Sequence, residues 1–533
     1  MIVPYPPPLP EAEREPSRIG TTHDPVRFWG SVRPDRVALK SAQSVWTYGD
    51  LDRAVWSAAD ALLERGLGSG EHIALEFEPE DAIAFAVAFH AVQRIGSLPV
   101  LIGTAGTEDE RQAMRERAQV EYRLNAGDLD IPMLYPPEAG EEQAKGASAE
   151  RSKEPSRRKN RGSGGSEPPV HHDVFLDRRL DAPAAVLFTS GTSGEPRAAV
   201  LTHGNFLWSA LASARNLGVR DEDLWLCCMP LHHVGGLSIL IRTAMTGTAA
   251  LLHDHFDAEA VSRTLDEDGV TLVSLVPTML SRLLDVRKGR HFPSSLRAAL
   301  IGGGPAEPSL FASAAKLDLR ALPTYGLTEA ASQVTTLPLR EWPRGTGSSG
   351  RPLPFIGVEI RDGADRPAGP GVEGEIVVSG PTVMAGYLGD PAATEGALRR
   401  RRLRTGDVGM WDEEGRLVVL DRRADRIVTG GENVSPEEVE RAIASHPSVR
   451  AACVVGVPSR EWGQEVAVAV EPKTGRTVTL EAVREHARAS LSGFKLPRRF
   501  LVLPSLPRSS SGKLLRRVVR DRFLDEMAKQ KHP

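Results

Sequence analysis

The sequence predicts an α/β protein: helix-covered parallel sheets through most of the chain, then a β-rich stretch, then a small α+β unit at the C-terminal end. Three observations carry this. Short apolar runs alternate with helical stretches as far as residue 301, the pattern of strands crossing over through helices. From Gly374 the text turns rich in strand formers. The 110 residues beyond Arg423 hold strand and helix patterns of their own.

In chain order, Thr47-Tyr48-Gly49-Asp50 reads as a capping box with Asp in place of the usual Glu. Leu51, Val55, Ala58, Leu62 and Leu63 follow at helical spacing until Gly66. Residues 82–92 form the most apolar run, bounded by Asp81 and Arg94. At about half the length a bilayer requires, it reads as a buried helix ahead of a strand at 98–102. Residues 136–172 are dominated by Glu, Lys, Arg, Ser and Gly, which cannot build a packed core, and predict a disordered surface insertion. Strands are expected at 185–189, 271–276 and 297–301, with helices at 205–216 and 277–285. Further strands fall at 375–379 and 416–420, with Asp412-Glu413-Glu414-Gly415 as the turn before the second. Ser435 and Pro436 open a helix as N-cap and first residue. A strand at 451–457 and a helix at 480–491 complete the reading.

The bulk composition excludes several classes. Among 533 residues, 66 Lys+Arg against 70 Asp+Glu give a net charge of −4, which rules out a generic polyanion binder. Cys227, Cys228 and Cys453 cannot staple a chain this long, so a reducing compartment is expected. Residues 1–16 carry six prolines and several charges, unlike a signal or transit peptide. A cytoplasmic soluble protein is expected, with no nucleic-acid partner and no membrane insertion.

The most informative segment is Leu187-Phe188-Thr189-Ser190-Gly191-Thr192-Ser193-Gly194-Glu195-Pro196-Arg197. An apolar strand ends in four hydroxyls and two glycines; glycine lets backbone approach a ligand, and hydroxyls with exposed N–H groups suit phosphate oxygens. By composition alone the same run is also compatible with a polar surface turn, and it is not a Walker A loop. The segment resembles the phosphate loop of the adenylate-forming superfamily of acyl-CoA synthetases, peptide-synthetase adenylation domains and beetle luciferases. Ser193 stands where that pattern has a second threonine, Arg197 where it has lysine and Ala198 where it has glycine.

Further motifs of that family follow in order: Gly302-Gly303-Gly304-Pro305, Tyr325-Gly326-Leu327-Thr328-Glu329, Arg404-Thr405-Gly406-Asp407, Asp421-Arg422-Arg423-Ala424-Asp425, and Pro507-Arg508-Ser509-Ser510-Ser511-Gly512-Lys513. The resemblance implies a large N-terminal domain, residues 1–423, of two α/β subdomains and a β-rich one, and a small mobile domain, residues 424–533. It implies that Tyr325 stacks on adenine beside Gly303, Gly304, Pro305 and Gly326, Thr328 meets the α-phosphate, and Glu329 holds Mg²⁺. Asp407 and Arg422 would take the ribose, and Lys513 would drive adenylation. Gly430, Gly431 and Glu432 would face the thiol tunnel after the small domain rotates about Ala424. ATP, Mg²⁺ and coenzyme A are the implied cofactors, and the implied reaction is AMP-forming acid–thiol ligation.

Within the superfamily, Pro230-Leu231-His232-His233-Val234-Gly235-Gly236-Leu237-Ser238, Ser274-Leu275-Val276-Pro277-Thr278-Met279-Leu280, the run from Thr324 to Thr336 and Gly430-Gly431-Glu432-Asn433-Val434 look most like the o-succinylbenzoate–CoA ligases of menaquinone biosynthesis. A fatty- or aryl-acid CoA ligase is the alternative. A spectator carboxylate needs a cation or hydroxyls. Arg242 is the candidate cation; Ser332, Gln333 and Thr335 are candidate polar contacts, and His233 a candidate gate. The sequence leaves open whether Arg242 is instead structurally paired and whether His233 merely packs. Two other patterns fail on context. Gly345-x-Gly347-x-x-Gly350 is hemmed by Pro343, Pro352 and Pro354, which forbid the strand–turn–helix of a dinucleotide fold. His232-His233 resembles a condensation motif, but Leu237 fills its aspartate position. A carrier domain after Lys513 is not expected.

Overall fold

The computed structural model describes residues 21–129, 178–190, 196–304, 306, 308–421, 427–507 and 516–531. The predicted insertion at 136–172, the turn residues Gly191, Thr192, Ser193 and Gly194, and Pro305, Arg422, Ala424 and Lys513 lie outside them.

Two sheets form the bulk of the molecule. One has nine strands in the order Arg351–Pro352, Ser332–Thr336, Ala321–Leu327, Ala298–Ile301, Leu272–Leu275, Leu224–Cys227, Ala249–Leu252, Val37–Lys40, Val45–Thr47. Its interior is parallel, from Ala321–Leu327 to Val37–Lys40, and antiparallel pairings close both edges. The other runs Gly386–Tyr387, Pro196–Thr202, Pro183–Ser190, Leu98–Leu101, His72–Leu75, Tyr122–Leu124, parallel except at the first two pairings. Helices cover these sheets because an apolar parallel strand is hidden on both faces: Leu272–Leu275 and Ala298–Ile301 are buried at every position.

The helix Tyr48–Glu64 begins at the expected capping box. Asp50 N–H donates to Thr47 Oγ1 (3.1 Å), and Thr47 N–H donates back to the Asp50 carboxylate (3.0 Å). The helix Ala82–Arg94 is buried almost throughout. Arg94 at its end is tolerated inside because Asp24 (2.9 Å) and Asp52 (2.8 Å) neutralise it. Among the described residues, no helix is long and apolar enough to cross a membrane.

The β-rich part is an antiparallel sheet of Gly357–Arg361, Gly374–Ser379, Arg402–Trp411, Leu398–Arg399 and Leu417–Asp421. After residue 426 a second five-stranded sheet is built around Val449–Ser459 and Gly463–Pro472. Strand alternation gives it two cores. Ala452, Val454, Val466, Val468 and Val470 pack with the helices Pro436–Ala444 and Leu480–Ala487 on one face. Cys453, Val455, Ala467 and Ala469 meet Val519 and Phe523 of the helix Arg516–Lys531 on the other. The expected helix at 480–491 stops at Ala487: Ser490 and Leu491 turn back onto the Ala487 carbonyl, and Ser492-Gly493 follow. All three cysteines are buried.

Candidate active site

The hydroxyl-rich segment falls between two antiparallel strands of the six-stranded sheet, Pro183–Ser190 and Pro196–Thr202, with Thr189 opposite Arg197. Thr189 is buried near the end of the first of these strands. Beyond Pro196–Thr202 the next strand, Gly386–Tyr387, brings in a residue the sequence reading missed. Tyr387 O–H donates to Glu329 Oε1 (3.0 Å), while the Arg197 guanidinium sits over the Tyr387 ring, 5.4 Å from its centre. Burial and the neighbouring carboxylate push the Tyr387 phenol well up, so it remains a donor that holds Glu329 in one orientation. The only local signal for Tyr387 was an aromatic after glycine in a chain with six tyrosines. Its role depends on strand pairing across some two hundred residues.

Glu329 lies in a 3₁₀ turn, Thr328–Ala330, directly after the strand Ala321–Leu327. That strand makes an irregular antiparallel pair with Ser332–Thr336, shifting register between Tyr325 and Gly326. A Cβ at Gly326 would sit 2.0 Å from the Ser332 carbonyl oxygen, so no larger residue fits. Tyr325 O–H donates to Asp407 Oδ2 (2.7 Å), bringing the implied adenine and ribose residues together. Asp407 itself is held from the strand Arg402–Trp411, where its N–H donates to Thr405 Oγ1 (3.1 Å) and Thr405 O–H donates to the Ile376 carbonyl (2.7 Å). Gly303, at φ +81°, turns the chain after Ala298–Ile301, and a Cβ at Gly304 would lie 3.7 Å from Val428 of the C-terminal part.

Arg242 projects from the helix Val234–Thr246 and is 4% exposed. Its Nη2 donates to Ser332 Oγ (3.2 Å), and Ser332 O–H donates to Ser238 Oγ (3.3 Å). Trp225 lies beneath the guanidinium, 5.6 Å from ring centre to Cζ. Among the described residues no carboxylate comes within ion-pair distance of Arg242, and its Nε has no hydrogen-bond partner. Desolvation alone pulls its pKa down to about 9. Ser332 pairs with Leu327, the residue before Thr328. Thr335 bonds within the sheet, its O–H donating to the Ser349 carbonyl (2.7 Å), and Gln333 Nε2 donates to Thr336 Oγ1 (2.8 Å). The Gln333 Oε1 stays buried and unpartnered among the described residues.

His233, the N-cap of Val234–Thr246, meets Glu432 from the C-terminal part at 3.0 Å. Burial opposes charge on His233, but the Glu432 carboxylate outweighs it and holds its pKa above the ordinary value. Burial likewise opposes ionisation of Glu432, yet His233 pulls its pKa to about 2. Gly430 and Gly431 precede Glu432 with φ of +59° and +91°. A Cβ on Gly431 would lie 3.8 Å from Val276, so the predicted thiol-facing loop packs on the large part of the molecule.

A helix-covered parallel sheet and a Tyr–Asp pair near a buried carboxylate fit the adenylate-forming class. The chain belongs to the AMP-binding enzyme family: the model of the AMP-binding enzyme matches residues 26–388, and that of the AMP-binding enzyme C-terminal domain matches residues 438–513. It is 36% identical over 497 residues to a 2-succinylbenzoate–CoA ligase of Bacillus cereus, covering 93% of this chain and 97% of that one. Among solved structures it is similar to a double mutant of o-succinylbenzoate CoA synthetase from Bacillus subtilis bound with its product analogue OSB-NCoA, at a TM-score of 0.81 and 30% identity, covering 94% of this chain and 99% of that one. The same Bacillus subtilis enzyme in complex with the acyl-adenylate intermediate OSB-AMP gives a TM-score of 0.66 at 29% identity, again with 94% and 99% covered. With ATP and magnesium ion it gives 0.65 at 30%, with 93% and 99% covered. Identity and coverage barely change while the TM-score falls, so the difference lies in how the parts of the chain are placed. The arrangement here is nearer to that of the product-analogue complex.

Proposed function

We propose that this enzyme joins 2-succinylbenzoate to CoA at the expense of ATP, as a step of menaquinone biosynthesis. The observation that carries the choice of acid is Arg242: a buried guanidinium without a carboxylate partner among the described residues, flanked by Ser332 and Ser238. Such a group is costly to bury uncompensated, and a substrate bearing a second, unreacting carboxylate supplies the missing charge. A monocarboxylic acid would leave it unmet.

In the first step a carboxylate oxygen of the acid attacks the α-phosphorus of ATP, the α–β phosphoanhydride bond breaks and pyrophosphate leaves. In the second, the CoA sulfur attacks the acyl carbon, the carbon–oxygen bond to phosphate breaks, AMP leaves and the thiol proton passes to solvent. Negative charge grows at the α-phosphate in the first step, and fixed donors stabilise it there more than in the ground state. Thr189, Ser190, Gly191, Thr192, Ser193 and Gly194, with Arg197, Thr328 and Lys513, are assigned to that charge. Tyr325 carries adenine with Gly303, Gly304, Pro305 and Gly326, while Asp407 and Arg422 take the ribose. Glu329 is a buried hard-oxygen donor fixed by Tyr387, chemistry that suits Mg²⁺. Bound there, Mg²⁺ would offset charge on the phosphates. His233, Arg242, Ser332 and Gln333 border the acid, and Gly430, Gly431 and Glu432 the thiol. The reading includes a boundary after residue 423, a cytoplasmic setting that keeps Cys227, Cys228 and Cys453 reduced, and small-molecule partners only.

The test is pyrophosphate release with ATP and Mg²⁺, comparing 2-succinylbenzoate, benzoate and medium-chain fatty acids, with and without CoA. Selective turnover of 2-succinylbenzoate with CoA-dependent AMP and thioester is expected. Turnover of the other acids with none on 2-succinylbenzoate would overturn the substrate.

A further inference from the structure

Several contacts join the C-terminal part to the large part, and they differ in kind. Arg460 meets Asp285 at 3.4 Å, but with side chains 87% and 56% exposed that pair carries little energy. The Arg282 guanidinium donates to the Glu461 carbonyl (2.6 Å) and faces the Trp462 ring. Glu110 is different. It sits at the third position of the helix Glu108–Arg117, where Oε2 accepts from Thr107 N–H (2.9 Å) to complete a capping box. The same Oε2 accepts from Ser492 O–H (2.6 Å), and Oε1 accepts from Lys495 Nζ (2.7 Å), both from the C-terminal part. Lys495 Nζ also donates to Glu438 Oε1 (2.7 Å), in the helix Pro436–Ala444 of its own part. The three side chains are 12–20% exposed.

We infer that Glu110 is a positioning residue for thioester formation: by receiving Lys495 and Ser492 it latches the C-terminal part in the arrangement that serves CoA and not the one that serves ATP. The inference rests on the two-step reaction proposed above. The lysine is prepared for a reversible contact. Glu438 keeps it partnered when Glu110 is withdrawn, so opening does not strand a buried cation, and closing adds a second carboxylate and a hydroxyl. Burial would raise the Glu110 pKa, yet Lys495 and its other donors hold it below the ordinary value. Burial instead dominates at Glu438, raising its pKa despite Lys495. Glu110 is therefore the ionised anchor. With Ala424 at the expected hinge offering no polar group, a latch at Glu110 supplies what the hinge side chain cannot.

Full-length Glu110→Gln, Lys495→Met, the double variant and Ser492→Ala test this. Two half-reactions are measured separately: pyrophosphate release from acid and ATP without CoA, and thioester formation from supplied acyl-adenylate and CoA. Glu110→Gln should slow the second roughly tenfold and leave the first unchanged or faster. The double variant should be no slower than Lys495→Met alone, because both act through one contact. Ser492→Ala, which leaves the charges and the helix cap intact, should slow the second step by a smaller factor. Equal slowing of both half-reactions, or second-step rates matching the unmodified enzyme, would overturn the latch. Should the unmodified enzyme form no thioester from 2-succinylbenzoate, the substrate assignment fails. The same ratio of half-reactions is then read with whichever acid releases pyrophosphate.

Discussion

Arg242 and His233 show how a single side chain's neighbours decide what it can do. Arg242 has hydroxyls and an aromatic face around it but no carboxylate among the described residues, so its charge awaits a ligand. Arg242→Met should lower kcat/KM for 2-succinylbenzoate by roughly a hundredfold. It should leave benzoate, or any monocarboxylic acid the enzyme accepts, within a few-fold. Pyrophosphate release with both acids checks this, and an equal fall for the two would return Arg242 to a structural role. His233 pairs with Glu432 as an imidazolium. Its raised pKa means the contact is fully formed below the ordinary histidine value near 6.5 and is lost as pH rises through the raised value. Thioester formation should therefore decline relative to adenylation as pH rises through that raised value, and His233→Asn should flatten that decline. Rates of the two half-reactions against pH test it; an unchanged profile in the variant would discard the pair as the cause. Tyr325, Asp407 and Glu329 were legible in the sequence because each sits in a local motif. Tyr387 was not, because only strand pairing brings it to Glu329.

At the scale of elements, period and capping predict well and long-range geometry does not. The helix Tyr48–Glu64 starts at its capping box, and the strand alternation of Val449–Ser459 distributes residues to two faces as period two requires. The helix expected to reach residue 491 ends at Ala487, where the last apolar residue, Leu491, is buried from a turn and not from a helix face. The strand ahead of the hydroxyl-rich segment was legible; that the next strand returns antiparallel beside it was not, because Pro196–Thr202 carries no pattern that tells an antiparallel partner from a parallel one. The irregular pair around Gly326 is an element-level device that sets Tyr325 toward Asp407 and Glu329 into its turn. Gly326→Ala places a methyl against the Ser332 carbonyl and should cost about 2–3 kcal/mol. The melting temperature should fall by several degrees and ATP-dependent pyrophosphate release should collapse. Unchanged melting with full activity would show that the strands can separate to admit a side chain.

Over the whole molecule, two bodies of sheet must cooperate on one substrate. The groups proposed to face ATP, Tyr325, Asp407 and Glu329, lie in the large part, whereas Lys513 belongs to the C-terminal segment and Glu432 meets His233. Lys513→Ala should cripple pyrophosphate release and spare thioester formation from supplied acyl-adenylate, since charge grows at the α-phosphate in the first step alone. Equal loss in both half-reactions would contradict a division of labour between two arrangements.

The sequence by itself determined the α/β class, the order of elements, the family and the local motifs, because hydrophobic period, caps and contiguous ligand-binding runs are written within a few residues of one another. Tertiary structure decided what those motifs face. It set Tyr387 on Glu329, left Arg242 without a carboxylate among the described residues, spent Thr335 on the sheet and joined Glu110 to Lys495. Those outcomes depend on contacts between residues tens to hundreds of positions apart, where burial and charge compensation are settled by the packed whole.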